Sequence, residues 1–218
     1  MTQSFPLKKY GAILFDFDGV LVDSVEIKTE AFAFLYESFG EEIVEKVVDF
    51  HRANGGMSRF DKFKHFHENF LNKEITPQEI NSLSRKFSDF VVESVIKAPE
   101  IDSTEDFLQK IKLLELDAYV ISATPQKELE EIVERRNWSK YFIELFGSPT
   151  SKTENIQQVL NRNVLYNPNE CIFFGDAISD LEAAEIHSID FIGIKNEKIN
   201  IFKSRVKEEH LFTDFKYI

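Results

Sequence analysis

Short apolar runs alternate with longer segments of helical periodicity along much of the chain. Three runs, at residues 12–15, 118–121 and 171–174, end in small, hydroxyl or acidic residues and predict buried parallel strands. A run at residues 191–194 predicts a fourth strand, and a weaker run at residues 142–146 predicts a fifth.

Helix start signals lie between these predicted strands. Ser103 can cap a helix through Leu114, Thr124-Pro125 opens one through Arg136, and Ser151 or Lys152 precedes one through Leu160. Strands that alternate with helices predict an α/β fold with a doubly wound parallel sheet. In such folds ligands bind at the carboxyl ends of the strands.

Residues 25–96 interrupt this alternation, because they contain no convincing strand and predict several helices in succession. We therefore expect an inserted helical cap at residues 25–96, and a core formed by residues 1–24 and 97–218. Within the cap, phenylalanines recur at the spacing of an amphipathic helix, at Phe60, Phe63, Phe66 and Phe70. The last cap helix is predicted to begin at Thr76-Pro77-Gln78-Glu79, which fits an N-cap, a proline and a reciprocating Glu.

The composition excludes some functions and leaves others open. The net charge of −12 argues against nucleic acid as the main partner, because binding its backbone needs clustered Lys and Arg. A small phosphorylated metabolite needs only a local group of donors and a metal ion, so the charge does not exclude it. The 22 phenylalanines are expected to pack in the interior, and the single cysteine, Cys171, is expected to be a buried thiol.

No membrane partner is expected, because no apolar run approaches the ~20 residues that cross a bilayer. Residues 1–9 lack the apolar centre of a secretory signal, so the expected location is the cytoplasm. The sequence leaves the oligomeric state open.

The chemically most informative segment follows the first predicted strand. Asp16 and Asp18 stand two residues apart directly after a buried strand, and Gly19 then permits a tight turn. Acidic residues are common where a strand enters a turn, so this pair alone has a structural explanation. That explanation does not account for the other strand ends.

The later strand ends add the remaining groups of a phosphate site. Ser122 follows the second predicted strand, Lys152 lies in the next connection, and Asp176 and Asp180 follow the third. An acidic cluster with a hydroxyl and an ammonium group can hold a hard cation beside a phosphoryl oxygen.

These motifs resemble the haloacid dehalogenase superfamily, in particular its phosphoglycolate phosphatase and β-phosphoglucomutase branch with a helical cap. The resemblance covers nearly the whole chain. It rests on Asp-x-Asp-Gly-x-x-x-Asp at residues 16–23, on Ser122 after a strand, on Lys152, and on Gly-Asp-x-x-x-Asp at residues 175–180. It implies a Rossmann-like core.

The resemblance implies that Asp16 attacks phosphorus to form an aspartyl-phosphate, and that Asp18 protonates the leaving alcohol and then activates water. A carboxylate with an ordinary pKa of ~3.9 is ionised at neutral pH, which suits Asp16 as a nucleophile. Asp18 has to carry a proton, so its pKa is expected to rise when the cap closes.

The resemblance also implies a Mg²⁺ site and a phosphoryl site. Mg²⁺ would bind Asp16, the main-chain carbonyl of Asp18, and Asp176. Asp180 would contact the metal through water or orient Lys152, and the alternative is a charge at a helix terminus. The phosphoryl group would accept hydrogen bonds from Ser122 and from the amides of Phe17 and Ala123, and Lys152 would offset its charge.

Two features qualify the resemblance. Family members usually have a proline directly after the lysine, whereas this chain has Thr153, which leaves the position of Lys152 less certain. The dehalogenases of the family lack the carboxylate that Asp18 supplies, so phosphoryl transfer is favoured over dehalogenation.

In the cap, Gly55-Gly56 is expected to form a turn between helices, and the resemblance implies that this turn faces the active site. Ser58 can cap the next helix. Arg59 would then lie in the first turn of that helix. It either binds a phosphate or carboxylate of the substrate, or is exposed and pairs with Asp61 or Glu68. Three cap histidines without a ligand pattern are expected to be surface or packing residues, namely His51, His65 and His67.

The leading hypothesis is a Mg²⁺-dependent phosphatase for a small phosphorylated metabolite, such as phosphoglycolate or a sugar phosphate. One alternative is a β-phosphoglucomutase-like phosphomutase, which passes the phosphoryl group to a second hydroxyl instead of water. Another is a catalytically silent binding or regulatory protein on the same fold.

Overall fold

The computed structural model describes residues 5–162, 166–195, 201–202, 204–216 and 218. All strands of the sheet run parallel in the order β3-β2-β1-β4-β5-β6. They are β1 (Ala12–Phe15), β2 (Asp117–Pro125), β3 (Glu144–Ser148), β4 (Cys171–Gly175), β5 (Asp190–Ile194) and β6 (Leu211–Phe212). The first five correspond to the predicted strands. The short β6 is an edge strand that the sequence pattern did not indicate.

Eight α-helices accompany the sheet in the described residues. They are α1 (Val25–Tyr36), α2 (Glu41–Ala53), α3 (Arg59–His65), α4 (Pro77–Lys97), α5 (Thr104–Leu113), α6 (Gln126–Arg135), α7 (Lys152–Arg162) and α8 (Ile178–His187). The first four follow β1 without an intervening strand, and the last four alternate with strands. This confirms the predicted α/β class, a Rossmann-like parallel sheet flanked by helices. Within the described residues, no helix combines the length and apolar composition that crossing a bilayer requires.

The alternation of side chains along β1 divides the core into two layers. Ile13 and Phe15 contribute to one apolar cluster, and Ala12 and Leu14 contribute to another. The first cluster includes residues of α5 and α6, and the second includes residues of α7 and α8. Because both faces of β1 are covered, every one of its residues is apolar and buried.

Stacked and edge-on aromatic rings pack both beside the sheet and among the helices of residues 25–97. In the core, the rings of Phe15 and Phe174 are 5.2 Å apart, and those of Phe107 and Phe215 are 4.8 Å apart. Among the helices of residues 25–97, Phe32 contacts three phenylalanine rings, those of Phe63, Phe66 and Phe87, at 4.5–5.7 Å, and the ring of His51 at 4.8 Å. Such pairs add to the stabilisation that burial of apolar area provides.

Several predicted boundaries are correct, and one is wrong. The capping box at Thr76 and Glu79 is present, and α5 begins directly after Ser103, although the Ser103 side chain makes no capping hydrogen bond. The helix expected at Thr124-Pro125 instead begins at Gln126, because β2 continues past its bulge to pair Pro125 with Ser148. The predicted phenylalanine helix is α3 followed by one π-helical turn, Phe66–Phe70.

Polar contacts attach the helices of residues 25–97 to the sheet layer. Arg136, which follows α6, donates to the main-chain carbonyls of Val95, Ile96 and Ala98 at 2.9–3.0 Å. These carbonyls lie at or just after the end of α4, where helix carbonyls lack their usual amide partners, and that of Val95 also accepts a 3.3 Å hydrogen bond from the amide of Ala98. The contact fixes the point at which the helical segment returns to the core.

Candidate active site

Asp16 lies at the carboxyl end of β1, in the middle of the sheet. Its side chain is 5% exposed and accepts two hydrogen bonds of 2.7 Å, one from the amide of Phe17 to Oδ1 and one from Lys152 Nζ to Oδ2. The Phe17 amide therefore points toward the site as expected, and its present acceptor is Asp16. The departure from a Lys-Pro sequence does not displace Lys152, because α7 begins at this residue and directs it to Asp16.

A cluster of three carboxylates forms where β1 and β4 end side by side. One oxygen from each of Asp16, Asp176 and Asp180 lies within 4.8 Å of the others. Gly19 leaves room for this cluster, since a Cβ at this position would lie 2.2 Å from Oδ2 of Asp176. Gly19 also has a φ of 79°, which residues with a side chain rarely adopt. The turn after Asp18 therefore requires glycine both for its backbone conformation and for the space beside Asp176.

The cluster carries more negative charge than its protein neighbours balance. Burial raises the pKa of Asp16 to about 7, with Asp180 and Asp18 adding to the rise and Lys152 opposing it. Burial and the charges of Asp16 and Asp180 raise the pKa of Asp176 well above its usual range. The expectation of an ordinary pKa for Asp16 is therefore wrong for the protein without a bound cation. Hard oxygen ligands with excess negative charge fit a divalent cation such as Mg²⁺, which would favour the ionised form of each.

Asp180 takes part both in the site and in a helix terminus, so the two expected roles coexist. It forms an ion pair with Lys152, and its Oδ2 accepts a 3.0 Å hydrogen bond from the amide of Ala177 at the start of α8. Burial alone would lower the pKa of Lys152, but the charges of Asp16 and Asp180 outweigh it and raise this pKa. Lys152 is thus held as a cation beside Asp16.

Asp18 is held by a network that the sequence did not indicate. Its carboxylate accepts hydrogen bonds from Lys28 Nζ at 2.5 Å, from Ser24 Oγ at 2.6 Å and from Thr124 Oγ1 at 2.9 Å. Burial would raise the pKa of Asp18, but the Lys28 charge and these hydrogen bonds outweigh it and lower the pKa. The expected rise in the pKa of Asp18 is therefore wrong for this arrangement, in which Asp18 is an ionised carboxylate.

Ser122 and Ala123 lie on β2, beside β1. Ser122 is 1% exposed, and its Oγ accepts a 3.1 Å hydrogen bond from the amide of Thr124. It borders a cavity of about 280 Å³ that Lys152 also borders, while Ala123 borders both this and a larger cavity. The structure thus brings the predicted phosphate-binding residues to the same edge of the sheet as Asp16.

The larger cavity, of about 760 Å³, lies between the carboxyl edge of the sheet and the helices of residues 25–97. Asp16, Asp18 and Asp176 border it from the sheet. The turn at Gly55-Gly56 lies opposite, as expected, and packs so closely that a Cβ on Gly56 would lie 1.9 Å from Ser179 Oγ. A ligand in this cavity is enclosed by both parts of the chain.

Arg59 begins α3 and borders this cavity. It was expected either to bind an anionic group of the substrate or to be exposed and paired with a carboxylate nearby in sequence, and its observed contacts differ from both. The side chain is buried, and its guanidinium pairs with both carboxylate oxygens of Glu128 on α6 at 2.5 and 2.9 Å. It also donates to Ser88 on α4 and stacks on Phe87 at 4.3 Å. The exposed alternative with Asp61 or Glu68 is wrong, because Asp61 instead accepts from the capping Ser58. Arg59 joins the helical segment to the sheet layer through a buried ion pair.

Replacing Arg59 by alanine is expected to destabilise the fold. The change leaves the carboxylate of Glu128, which is 7% exposed, without a cation, and breaking a buried pair in this way costs roughly 3–5 kcal/mol. Urea unfolding at pH 7 measures the loss. The matched control is Arg52→Ala, which breaks an exposed pair with Glu26 and should change stability by about 0–1 kcal/mol. Equal losses in the two variants would contradict this assignment.

Sequence reasoning missed five polar residues at this site. They are Lys28, Thr124, Glu128, His51 and Lys62. Thr124 carries a weak signal, since it directly follows Ser122 and Ala123. Lys28 lies ten residues after Asp18, His51 and Lys62 are eleven residues apart, and Glu128 is 69 residues from Arg59, and no motif in the sequence links these pairs.

Comparisons with known proteins agree with this geometry. The family model described as haloacid dehalogenase-like hydrolase matches residues 13–194. A phosphorylated carbohydrates phosphatase of Thermotoga maritima is 28% identical over 196 residues, which is 83% of each chain. A phosphoglycolate phosphatase of Psychrobacter arcticus is 23% identical over 197 residues, 84% of this chain and 82% of the relative. The crystal structure of a β-phosphoglucomutase from Clostridium difficile has a TM-score of 0.76 at 19% identity, over 94% of this chain and 91% of that one.

Proposed function

We propose a substrate class, a metal and residue roles for this chain, which belongs to the haloacid dehalogenase-like hydrolase family and hydrolyses phosphoric monoesters. The proposed substrate is a small phosphorylated metabolite of the phosphoglycolate or sugar-phosphate type. The proposed reaction depends on Mg²⁺ and passes through an aspartyl-phosphate, an acyl phosphate on Asp16. The observation that carries the proposal is the carboxylate cluster around Asp16 and Lys152, which adjoins a cavity of about 760 Å³.

The domain division is part of the proposal. Residues 25–96 would act as a cap over a catalytic core formed by residues 1–24 and 97–218. The cavity bordered by both parts supports it, because closure of these parts over a substrate would exclude water and strengthen every electrostatic contact at this edge.

Asp16 would be the nucleophile. One of its oxygens attacks phosphorus, the bond from phosphorus to the alcohol oxygen breaks, and an acyl phosphate on Asp16, the aspartyl-phosphate, results. Lys152, Ser122 and the amides of Phe17 and Ala123 would donate to the phosphoryl oxygens, so that the developing charge meets preorganised donors. Lys152 is already oriented by its ion pair with Asp180.

Asp18 would handle the protons. The leaving alcohol oxygen takes a proton from Asp18, and in the second step Asp18 accepts a proton from the water that attacks phosphorus and releases phosphate. Its ionised state beside Lys28 suits the second step. The first step requires a protonated Asp18, so substrate binding has to weaken the Lys28 contact.

A Mg²⁺ ion would be held by Asp16, the main-chain carbonyl of Asp18 and Asp176, with Asp180 nearby, and would offset negative charge on the phosphoryl group. The raised pKa values of Asp16 and Asp176 support this site, because a bound cation relieves the repulsion that raises them.

Two assays test the proposal. The first measures phosphate released from a panel of phosphorylated metabolites with and without Mg²⁺, and we expect metal-dependent release from at least one small phosphoester. The second supplies a hexose 1-phosphate and looks for an isomeric phosphate. An isomer without free phosphate would favour the phosphomutase alternative, which the enclosed cavity also allows. No turnover on the whole panel would favour a silent binding protein and contradict the proposal.

A further inference from the structure

One cation at the large cavity differs from the others. The remaining described lysines and arginines that border it each pair with a carboxylate, as Lys28 with Asp18, Arg52 with Glu26, Arg59 with Glu128 and Lys195 with Glu208. Lys62 borders the same cavity and has no carboxylate partner among the described residues. It lies one turn after Arg59 on α3.

Lys62 is buried among groups that do not balance its charge. Its side chain is 2% exposed, and its Nζ lies 2.8 Å from Nδ1 of His51 and 5.5 Å from the centre of the Phe32 ring. A lysine ammonium has three N–H donors, and here a single imidazole nitrogen is the acceptor within hydrogen-bond distance in the described part of the chain. Two of its donors therefore have no acceptor in the described part of the chain.

His51 adds to this surplus of donors. It also borders the cavity, and burial, with Lys62 and Lys28 adding to the effect, lowers its pKa to about 3, so the ring is neutral at pH 7. The Nε2 atom of His51 is buried and makes no hydrogen bond of normal length and angle. A weaker interaction of the ring with the main chain of Val25 opposes the fall in the pKa of His51 only in part. Because Nδ1 accepts from Lys62, Nε2 carries the proton and has no acceptor at normal hydrogen-bond geometry among the described residues.

The electrostatic surroundings of Lys62 reach to the reaction site. Burial and the charges of Lys28 and Lys152 lower the pKa of Lys62 to about 7, and the charges of Asp176 and Asp18 oppose the fall. Lys62 is therefore near enough to the carboxylate cluster to be affected by its charge. An anion beside Lys62 would restore its protonated state and satisfy the free donors.

We propose that Lys62, supported by His51, forms a subsite on α3 for a second anionic group of the substrate, a carboxylate or a phosphate. The inference rests on the proposed function, since it places the reacting phosphoester at Asp16 and the second anion at Lys62 in the same cavity. Arg59 cannot fill this role while both of its terminal nitrogens are bound to Glu128. Lys62 thus acts in substrate selection, and Arg59 in joining the two parts of the chain.

Two pairs of phosphoesters test the subsite and distinguish the two anions. Phosphoglycolate is compared with 2-hydroxyethyl phosphate, which replaces the carboxylate by a hydroxyl, and glucose 1,6-bisphosphate is compared with glucose 1-phosphate. The measured quantity is kcat/KM for phosphate release in the presence of Mg²⁺. The wild-type protein should prefer the anionic member of at least one pair by ~10-fold or more, and the pair that shows the preference identifies the anion.

The Lys62→Met variant should remove this preference. It keeps the length of the side chain and removes its charge, so kcat/KM should fall ~10-fold or more for the anionic substrate and less than ~3-fold for the neutral one. Lys64→Met, at an exposed lysine of the same helix, should leave both values unchanged. If the Met variant is insoluble, Lys62→Gln replaces it.

The outcomes separate the two levels of the proposal. An equal loss on both members of a pair, an unchanged preference in Lys62→Met, or no preference in the wild-type protein would overturn the subsite while the phosphatase activity stands. Absence of phosphate release from all four compounds would overturn the proposed function, and the subsite with it.

The pH dependence gives a second readout. Only protonated Lys62 attracts the anion, so the wild-type ratio of kcat/KM for the anionic to the neutral substrate should fall as pH rises through about 7. Taking the ratio removes the titration of groups that act on both substrates alike. His51 stays neutral over this range. A ratio that is constant from pH 6 to pH 9 in the wild-type protein would contradict the role of Lys62.

Discussion

Asp16→Asn is expected to lower the rate of phosphate release by roughly three orders of magnitude or more. The amide keeps the shape of the side chain but removes the negative oxygen that attacks phosphorus. Lys152 still has Asp180 as an ion-pair partner in the variant, so its charge is not left unbalanced. Initial rates on the best substrate of the panel, with Mg²⁺ present, measure the loss.

Folding of this variant should be preserved or improved. Asp16 is one of three crowded buried carboxylates, and its neutralisation removes repulsion with Asp176 and Asp180. Circular dichroism and a thermal melt without Mg²⁺ check this point. The control is Asp89→Asn, at an exposed carboxylate on α4, which should retain wild-type rates. Near-normal turnover in Asp16→Asn would exclude it as the nucleophile.

Asp176→Ala is expected to weaken Mg²⁺ binding and activity together. A hard cation depends on a few oxygen ligands, so losing one should raise the Mg²⁺ concentration for half-maximal activity by ~10-fold or more. Binding can be measured without turnover, because at a given concentration a ligand that binds the folded state more tightly raises the melting temperature more. Mg²⁺ should raise the melting temperature of the wild-type protein more than that of the variant.

The control for the metal site is Asp102→Ala, since Asp102 is an exposed carboxylate that borders the same cavity. It should leave the response to Mg²⁺ unchanged. Wild-type activity that persists in excess chelator would contradict the metal assignment, and so would an unchanged Mg²⁺ response in Asp176→Ala.

The local sequence determined the order of the elements and the positions of the acidic residues. β1 and β4 are continuous apolar runs because both faces of a central parallel strand are covered. Once the strands are predicted to be parallel, their carboxyl ends must lie at one edge of the sheet. Asp16, Asp176 and Lys152 therefore come together as a consequence of topology, without knowledge of side-chain contacts. The same reasoning located the helical segment at residues 25–96, because its pattern contains no strand.

Boundaries were less accurate where tertiary pairing competes with a local signal. Thr124-Pro125 has the chemistry of a helix start, yet β2 continues through Pro125 because β3 supplies a partner for it. β6 has two residues, which is too short for a recognisable pattern, and it forms because β5 offers an open edge. In both cases the deciding interaction comes from a strand distant in sequence.

The charge balance of the site was decided by tertiary structure alone. Asp18 is ionised because Lys28 from α1 and Thr124 from β2 meet at its carboxylate, 10 and 106 residues away in sequence. Arg59 pairs with Glu128, 69 residues away, and this contact leaves Lys62 as the cation without a carboxylate partner in the described residues. A pKa depends on burial and on charges within a few ångströms, and neither quantity follows from the spacing of residues along the chain. The sequence therefore determined which groups reach the edge of the sheet, whereas the packing of the helices against that edge decided which of them remain free to bind a substrate.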